Sequence, residues 1–598
     1  MDPQIKNLIG KKITAKIDPR ILFLIVFGMV IFALRLFNIQ ESIYDDESNY
    51  AYSLTVMDNF GFNHDFSSPF LFNLLYKPFL LLFGLKTWVF RLIPWLFGIL
   101  NTTLVYLITT RMFGKRAAFW SVLLMLISFY PTLAGLQVDA EGSAIMFFAL
   151  LFLFAYIESC RLDQQKRFFW QILAGIALGL AIITKYNAVC LALIPLAYSF
   201  LRTPKINPGE SQGESRDRIK NRFRLVFHDL FFIYLVGFTL FIAALLLGIL
   251  VSPQHWLEFV PIISWQEGFG EDYRPQFASP LGVAMFFLWS TPLLFGSYIL
   301  VLIQDKSTRR KLLLPLTWVS TTILFYTLAM NYGSMDRYFM HTIPALTMLG
   351  GYLISQIDLT KKDLMIGLLY TALFSGLFFV LNSFSIKMIG RFPELYLSEL
   401  KQGNLHFLFS YTSASGPTFG VNFATIFWSS LLAALFAIGY LLWRQKKPNY
   451  ARTALLLFFA VGFAFNVFLT SEYLFHPTTV DVSTVKDQML SYVTTTELSA
   501  PFYSNDAGIL WYLDHRQWKT RSAPGSMALG IPDTELGSTS TLLEKSISQR
   551  GGTILLLHWP PLHPQSPALE TIKPCTLVKQ FYSKEVVVGE VYSCPKRN

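Results

Sequence analysis

The sequence has few charged residues and few cysteines. Only 15% of its 598 residues are Asp, Glu, Lys or Arg, and four are Cys. No spacing of Cys and His matches a structural zinc site, and no nucleic-acid motif accompanies the net charge of +11. No clear internal repeat of the kind common in secondary transporters is present either. These absences disfavour a zinc-stabilised fold, nucleic-acid binding and a transporter.

Apolar residues, by contrast, are in large excess. They make up 53% of the chain, with 16% aromatic, which is more than one soluble core could hide. Runs of about 17 to 25 apolar residues are long enough to cross a hydrocarbon layer as helices. We therefore predict an all-α polytopic membrane protein with about thirteen spanning helices. They cover residues 21–37, 88–110, 117–136, 141–157, 169–184, 187–201, 229–251, 281–303, 312–330, 338–356, 364–381, 425–443 and 453–470.

Two apolar segments need separate treatment. Residues 70–83 are apolar but short and contain Pro78, so they predict an interfacial or re-entrant segment. The first span is followed by Leu36, Phe37 and Asn38 and lacks a small-residue cleavage site. It therefore predicts a signal anchor that is retained.

The basic residues predict the orientation in the membrane. Lys and Arg concentrate in alternate loops, as expected for short loops on the cytoplasmic side. These loops lie within residues 6–20, 111–116, 161–167, 202–224, 306–311, 361–362 and 444–452. The net positive charge is then explained by topology and anionic membrane lipids rather than by nucleic acid. The remaining long loops, 38–87, 252–280 and 382–424, are predicted to lie outside together with residues 471–598.

This pattern predicts three parts of the chain. Residues 1–20 form a cytoplasmic tail, residues 21–470 a transmembrane domain with 38–87 as its first outer loop, and residues 471–598 an extracytoplasmic domain. The last part alternates apolar and polar residues between Pro, Gly and Ser, which predicts a small α/β domain. Its Cys575 and Cys594 lie on the oxidising side, where a disulfide and two free thiols are both open.

The first predicted outer loop carries an acidic segment. Asp45, Asp46 and Glu47 are consecutive and lead into a predicted short helix. Clustered carboxylates raise each other's pKa and suit a general base or a cation site. An acidic helix cap at a solvated interface explains the same residues.

Further charged residues stand at the predicted outer ends of spanning helices. They are Asp139, Glu141, Lys185 and Arg337. Such groups are costly at the membrane edge and usually face a functional cavity, although each alone is more often a snorkelling or helix-end charge. Together they would allow a carboxylate to deprotonate an acceptor hydroxyl while the cations stabilise a departing phosphate.

Four ordered segments carry a resemblance to a known family. They are Asp-Glu-Ser-Asn-Tyr-Ala at 46–51, Val-Asp-Ala-Glu at 138–141, Gly-x-x-x-x-x-Lys at 179–185 and Arg-Tyr-x-x-x-x-x-Pro at 337–344. This set resembles the GT-C glycosyltransferases, the group containing protein O-mannosyltransferases and lipid A aminoarabinose transferases. The resemblance covers the chain to about residue 356 and the remainder only by arrangement.

The resemblance implies inverting transfer from a polyprenyl-phosphate sugar to a protein, lipid or glycan acceptor on the outer side of the membrane. It favours a bacterial plasma membrane, although an archaeal membrane or the endoplasmic reticulum would satisfy the same topology. It implies Asp46 as the base, with Glu47 as its catalytic neighbour and substrate ligand. The implied substrate-binding residues are Asp45, Asp139, Glu141, Lys185, Arg337 and Tyr338. A divalent cation, Mg²⁺ or Mn²⁺, stays open, since Lys185 and Arg337 could neutralise the same phosphate charge.

Several features leave alternatives open. Ser67-Ser68-Pro69 stands where many bacterial members have His-Pro-Pro, so the acceptor is not determined. Residues 265–273 could line a sugar pocket or form an interfacial aromatic belt. The polar and aromatic cluster within 505–515 could bind an acceptor glycan or stabilise the outer domain. Gly175 and Gly179 have GxxxG spacing, which favours close helix packing. A polytopic transporter or flippase and a noncatalytic scaffold for lipid-linked glycans are the competing functions.

Overall fold

The computed structural model describes part of the chain. The described residues are 18–44, 47–48, 50–51, 54, 70–161, 164–202, 214–251, 292–329, 336–384, 386–389, 393–410, 420–496, 498, 501–516, 527–528, 545, 547–559, 561–562 and 567–596.

Long apolar helices dominate the described residues up to Phe475. In chain order, the helices are α1 (Pro19–Arg35), α2 (Phe70–Phe83), α3 (Thr87–Phe113), α4 (Lys115–Ile127), α5 (Phe129–Ala134), α6 (Ile145–Ser159), α7 (Gln164–Thr184), α8 (Cys190–Leu201), α9 (Glu214–Val251), α10 (Pro292–Leu302), α11 (Lys306–Lys311), α12 (Leu313–Leu324), α13 (Asp336–Phe339), α14 (Ile343–Ser355), α15 (Lys361–Ser383), α16 (Pro393–Lys401), α17 (Phe423–Trp443) and α18 (Pro448–Phe475).

Among the described residues, 8 helices are long and apolar enough to cross a membrane. Helix α15 is one of them and is mostly exposed, with Met365 69% and Leu368 71% accessible. Large apolar side chains on such a surface are suited to lipid rather than water. Helix α6 is instead mostly buried and lies inside the bundle. The chain is therefore an integral membrane protein, while the count of thirteen spans stays a prediction.

Local sequence determines where several of these helices begin. Asp18 accepts a hydrogen bond from the Arg20 backbone at the start of α1, and Pro19 occupies the first turn, where its missing N–H costs nothing. Thr360 and Asp363 form a capping box at the start of α15.

The predicted third span, residues 117–136, is two helices rather than one. Ser128 is extended between α4 and α5, with φ −69° and ψ 140°. The Asn466 side chain accepts a hydrogen bond from the Phe129 N–H at 3.1 Å, which satisfies the backbone at the break. The break depends on a residue far away in sequence, so the apolar run alone did not predict it.

The predicted basic loop 202–224 is partly helical. Helix α9 begins at Glu214, well before the predicted span start at 229. Gly175 and Gly179 of α7 pack against it, and an added Cβ at Gly175 would lie 2.7 Å from the Ile233 carbonyl oxygen. The GxxxG spacing therefore marks close helix packing, as predicted.

The C-terminal residues form a small mixed sheet flanked by helices. Its strands are β3 (Phe502–Ser504), β4 (Met527–Ala528), β5 (Gly552–Leu557), β6 (Thr576–Ser583) and β7 (Val586–Cys594), after a short hairpin-like pair β1 (Leu408–Ser410) and β2 (Gly420–Asn422) in the preceding loop. The strand order is β4-β3-β5-β7-β6, parallel among the first three and antiparallel among the last three. The helices are α19 (Val482–Thr495), α20 (Ala507–Arg516) and α21 (Pro567–Ile572). The predicted α/β domain is confirmed.

Two local features stabilise this domain and its attachment. Cys575 and Cys594 are joined by a disulfide, which settles the alternative that the sequence left open. Glu472, in the last turn of α18, accepts hydrogen bonds from the backbone N–H groups of Thr478 and Thr479 at 3.0 to 3.2 Å. The last spanning helix is therefore joined to the domain through a hydrogen-bonded turn.

Candidate active site

The acidic segment is fixed at its end by Glu47. This side chain is fully buried, and each of its oxygens accepts two hydrogen bonds. Arg91 donates to both oxygens at 3.0 Å, the Val138 N–H donates at 2.8 Å, and the Tyr44 N–H donates at 3.1 Å. Paired donors on a carboxylate fix its position and orientation. The residue after Asp46 is therefore held rigidly.

Arg91 extends this arrangement to the neighbouring backbone. It is fully buried near the start of α3, and it donates to the carbonyl oxygens of Glu41 at 3.2 Å and Ser42 at 2.7 Å. A further bond reaches the Leu136 carbonyl. One guanidinium therefore joins the segment before Asp45 to the segment before Asp139.

Opposing effects act on the Glu47 carboxyl. Burial raises its pKa above the ordinary value, while the Arg91 charge and the hydrogen bonds from Arg91, Val138 and Tyr44 lower it. A buried carboxylate with a paired guanidinium and no remaining acceptor site is suited to positioning rather than to taking a proton from substrate.

Asp139 lies beside this pair and borders a small cavity. It is 1% exposed and follows Val138, whose N–H binds Glu47. The cavity is too narrow to hold a water molecule, and most of its lining is apolar. Its walls include Phe72, Tyr76, Pro94, Phe97, Asp139 and Ser143. Asp139 therefore lies at the edge of a closely packed, mainly apolar wall.

Lys185 reaches the same region from the end of α7. Its Nζ donates to the Tyr50 hydroxyl at 3.1 Å and lies 5.8 Å from the centre of the Tyr50 ring. Tyr50 itself packs on Phe72 of α2, with ring centroids 5.1 Å apart. The cation at 185 and the segment that follows Glu47 are therefore in contact.

The fourth sequence segment approaches from α13. Tyr338 is half-buried and stacks on Tyr326, with ring centroids 5.5 Å apart. Residues 336–342 contact residues 140–144, directly after Asp139. Parts of all four segments that carry the family resemblance thus meet at one end of the bundle.

Several predicted residues cannot be located in this way. Asp45, Asp46, Ser67, Ser68 and Pro69 lie outside the described residues, as do residues 265–273. For Glu141 and Arg337 the helical backbone is described but the side chain is not. Within the described part of the chain, no group of three or more His, Cys, Asp or Glu side chains could hold a metal ion.

The comparisons with known proteins address both the sequence and the fold. A family model for dolichyl-phosphate-mannose-protein mannosyltransferase matches residues 67–207. No curated protein matches the chain. The crystal structure of ArnT from Cupriavidus metallidurans in the apo state is 15% identical, covers 96% of this chain and 97% of ArnT, and has a TM-score of 0.56. The same ArnT bound to undecaprenyl phosphate gives 15% identity, the same coverage and a TM-score of 0.54.

The likeness extends over nearly the whole of both chains, so it includes the bundle and the C-terminal domain. The chain has a GT-C fold. The GT-C resemblance predicted from four short segments is therefore confirmed at the level of the fold.

Arg91 is a residue of this site that the sequence analysis does not select. It lies within the predicted span 88–110, and a lone Arg near the start of such a span is a signal of a buried partner or a functional cavity. The partner could not be named, because Glu47 lies 44 residues earlier.

The polar cluster of the C-terminal domain has a structural role in its described members. Asn505 exchanges hydrogen bonds with the Leu557 backbone at 2.7 and 2.8 Å. Asp506 pairs with Lys486 at 2.9 Å. Trp511 is buried against Phe90 of the bundle. The side chains of Asp514 and His515 lie outside the described residues.

Proposed function

We propose that this protein is an inverting glycosyltransferase that moves a sugar from a polyprenyl-phosphate donor to an acceptor on the extracytoplasmic side of the membrane. The observation that supports this best is the contact between Lys185 and Tyr50, 3.1 Å from Nζ to hydroxyl oxygen, within a GT-C fold. In this contact a cation lies against Tyr50, which follows Asp46 by four positions in the sequence. The undecaprenyl phosphate bound to ArnT supports the same class of lipid ligand.

In the proposed reaction, Asp46 takes the proton of an acceptor hydroxyl. The hydroxyl oxygen then attacks the anomeric carbon of the sugar, the bond from that carbon to the phosphate oxygen breaks, and polyprenyl phosphate leaves with the electron pair. Lys185 and Arg337 stabilise the charge on the departing phosphate, because Coulomb attraction is strong in a partly dehydrated cavity. In this scheme Glu47, paired with Arg91, holds Asp46 in place.

The remaining assignments follow the same proposal. Asp45, Asp139, Glu141 and Tyr338 contact substrate, and the acceptor is a protein, lipid or glycan. The protein lies in a bacterial plasma membrane with its N-terminus in the cytoplasm and the C-terminal domain outside.

The test is transfer of radiolabelled sugar by the purified full chain from a panel of polyprenyl-phosphate sugars. Asp46→Asn is compared with Asp358→Asn, since Asp358 is an Asp whose side chain is 96% exposed and pairs only at the surface with Arg116. We expect Asp46→Asn to lower the rate at least 100-fold, in line with loss of a general base. Asp358→Asn is expected to stay within about twofold of the wild type, as usual for a surface change.

The opposite results would overturn the proposal. A wild-type chain that transfers no sugar from any donor but moves a lipid-linked sugar across liposomes would establish a flippase. Equal rates for the wild type and Asp46→Asn would remove Asp46 as the base.

A further inference from the structure

The C-terminal domain contacts the bundle at the segment that precedes Asp45 and Asp46. Lys486 of α19 is fully buried, and its Nζ donates to the Ile43 carbonyl oxygen. The same Nζ lies 4.3 Å from the centre of the Tyr44 ring and 2.9 Å from Asp506 Oδ1. A lysine of the domain is therefore bound to the backbone of the first loop.

Neighbouring contacts fix the same segment. Ser42 Oγ donates to Asp487 Oδ1 at 2.7 Å, and the Ile43 N–H donates to the Tyr512 hydroxyl at 3.4 Å. Gly508 packs so closely on Ile43 that an added Cβ would overlap the Ile43 carbonyl oxygen and lie 2.6 Å from Lys486 Nζ. The position thus requires a residue without a side chain.

Two buried cations therefore hold three consecutive carbonyl groups. Arg91 of the bundle binds those of Glu41 and Ser42, and Lys486 of the domain binds that of Ile43. The next fixed point along the chain is Glu47. The two residues between Tyr44 and Glu47 are Asp45 and Asp46, so the backbone is restrained on both sides of the proposed base.

We propose that Lys486 is a positioning residue of the active site, and that the C-terminal domain is thereby a required part of the catalytic centre. This inference rests on the proposed function for its catalytic meaning. Lys486 acts through the backbone of Ile43 and Tyr44, and it does not touch substrate. Loss of its contact lets the segment move, which lowers the fraction of molecules with Asp46 in the productive geometry.

Two different variants test this proposal, so that the test still stands if one of them fails to fold. In the first, Lys486→Met is combined with Asp506→Asn, which removes both charges of the buried pair and keeps a residue that can cap α20. In the second, Gly508→Ala leaves both charges in place and raises the helix propensity of α20. Its added Cβ would overlap the Ile43 carbonyl oxygen and so prevent the close packing of α20 on Ile43. The control is Lys573→Ala, since Lys573 pairs with Glu570 on the surface of the same domain with side chains 67% and 72% exposed.

Three quantities are measured on the full chain: kcat, the KM for the donor, and hydrogen exchange of the amides of residues 41–48. For both test variants we expect kcat to fall at least tenfold, donor KM to stay within about twofold, and the amides of 41–48 to exchange faster. The amides of β5 and β7 are expected to exchange as in the wild type. Lys573→Ala is expected to change none of these quantities.

Unchanged kcat in both test variants overturns the proposal, as does reduced kcat with unaltered exchange of residues 41–48. If the wild-type chain transfers no sugar, the proposed function fails, and the exchange comparison alone still decides whether Lys486 restrains the segment. Faster exchange confined to 41–48 then supports the restraint, and unaltered exchange overturns it.

Discussion

Glu47 and Arg91 form an ion pair in which neither side chain reaches solvent. Removing one partner leaves an uncompensated buried charge, which costs about 3–5 kcal/mol, whereas removing both avoids that penalty. We expect Glu47→Gln and Arg91→Met each to lower the free energy of unfolding by about that amount, and the double variant to lose less than the sum by about 2 kcal/mol. Equilibrium unfolding of the purified proteins measures this. Losses that add within about 0.5 kcal/mol would show that the pair is not coupled.

A second prediction for a single residue concerns Lys185. Its ammonium group is half-buried beside Tyr50, where a phosphate group would be only partly screened by water. We expect Lys185→Ala to raise the dissociation constant for undecaprenyl phosphate at least tenfold, and Tyr50→Phe to raise it less than about threefold, because a charged hydrogen bond contributes about 1.5–3 kcal/mol. Titration of the wild type and the two variants with undecaprenyl phosphate measures these dissociation constants. A larger effect of Tyr50→Phe would assign the phosphate to the hydroxyl instead.

Individual residues were predictable only where their signal was local. Asp139 and Lys185 could be selected because a charge at the end of an apolar helix is costly. Lys486 had no such signal, since a Lys in a polar, amphipathic helix is ordinarily at the surface. Its burial follows from a contact with Ile43 that the sequence separates by 443 residues.

Among the elements, helices α7 and α9 pack through glycine. An added Cβ at Gly175 would lie 2.6 Å from Val236 Cβ and 2.7 Å from the Ile233 carbonyl oxygen, whereas one at Gly367 of α15 would meet nothing within 4 Å. We expect Gly175→Ala to lower stability by about 1–3 kcal/mol through overpacking, and Gly367→Ala to be neutral or slightly stabilising. Thermal unfolding in detergent compares the two. Equal midpoints would mean that α7 and α9 can separate without cost.

Element prediction succeeded where hydropathy alone decides. The long apolar helices α1, α3, α15, α17 and α18 lie within a few residues of the predicted spans, because about twenty apolar residues in lipid must satisfy their own backbone as a helix. It was wrong at residues 117–136, where Asn466 supports a break at Ser128. Helix ends were also less predictable, since α18 continues to Phe475 rather than ending at 470.

At the scale of the whole molecule, the proposed orientation connects with the disulfide. Cys575 and Cys594 are bonded across a sequence separation of 19, and such a bridge persists on the oxidising side of a membrane. We expect both cysteines to resist a maleimide until reduction, and reduction to lower the stability of the domain by about 3 kcal/mol. Cys160, which forms no disulfide and is exposed, serves as the control that reacts throughout. Labelling of Cys575 and Cys594 without reductant would contradict the proposed orientation.

The contact between Lys486 and Ile43 also has a consequence for biosynthesis. Ile43 leaves the ribosome before Lys486, which follows it by 443 residues. Domains generally fold in order of synthesis, so the bundle can insert long before the C-terminal domain exists. Until α19 and α20 have been translated and folded, Lys486 cannot bind the Ile43 carbonyl group of the first loop. The contact between Lys486 and Ile43 therefore forms only after the C-terminal domain has been synthesised, and a product that ends before α19 would lack this contact.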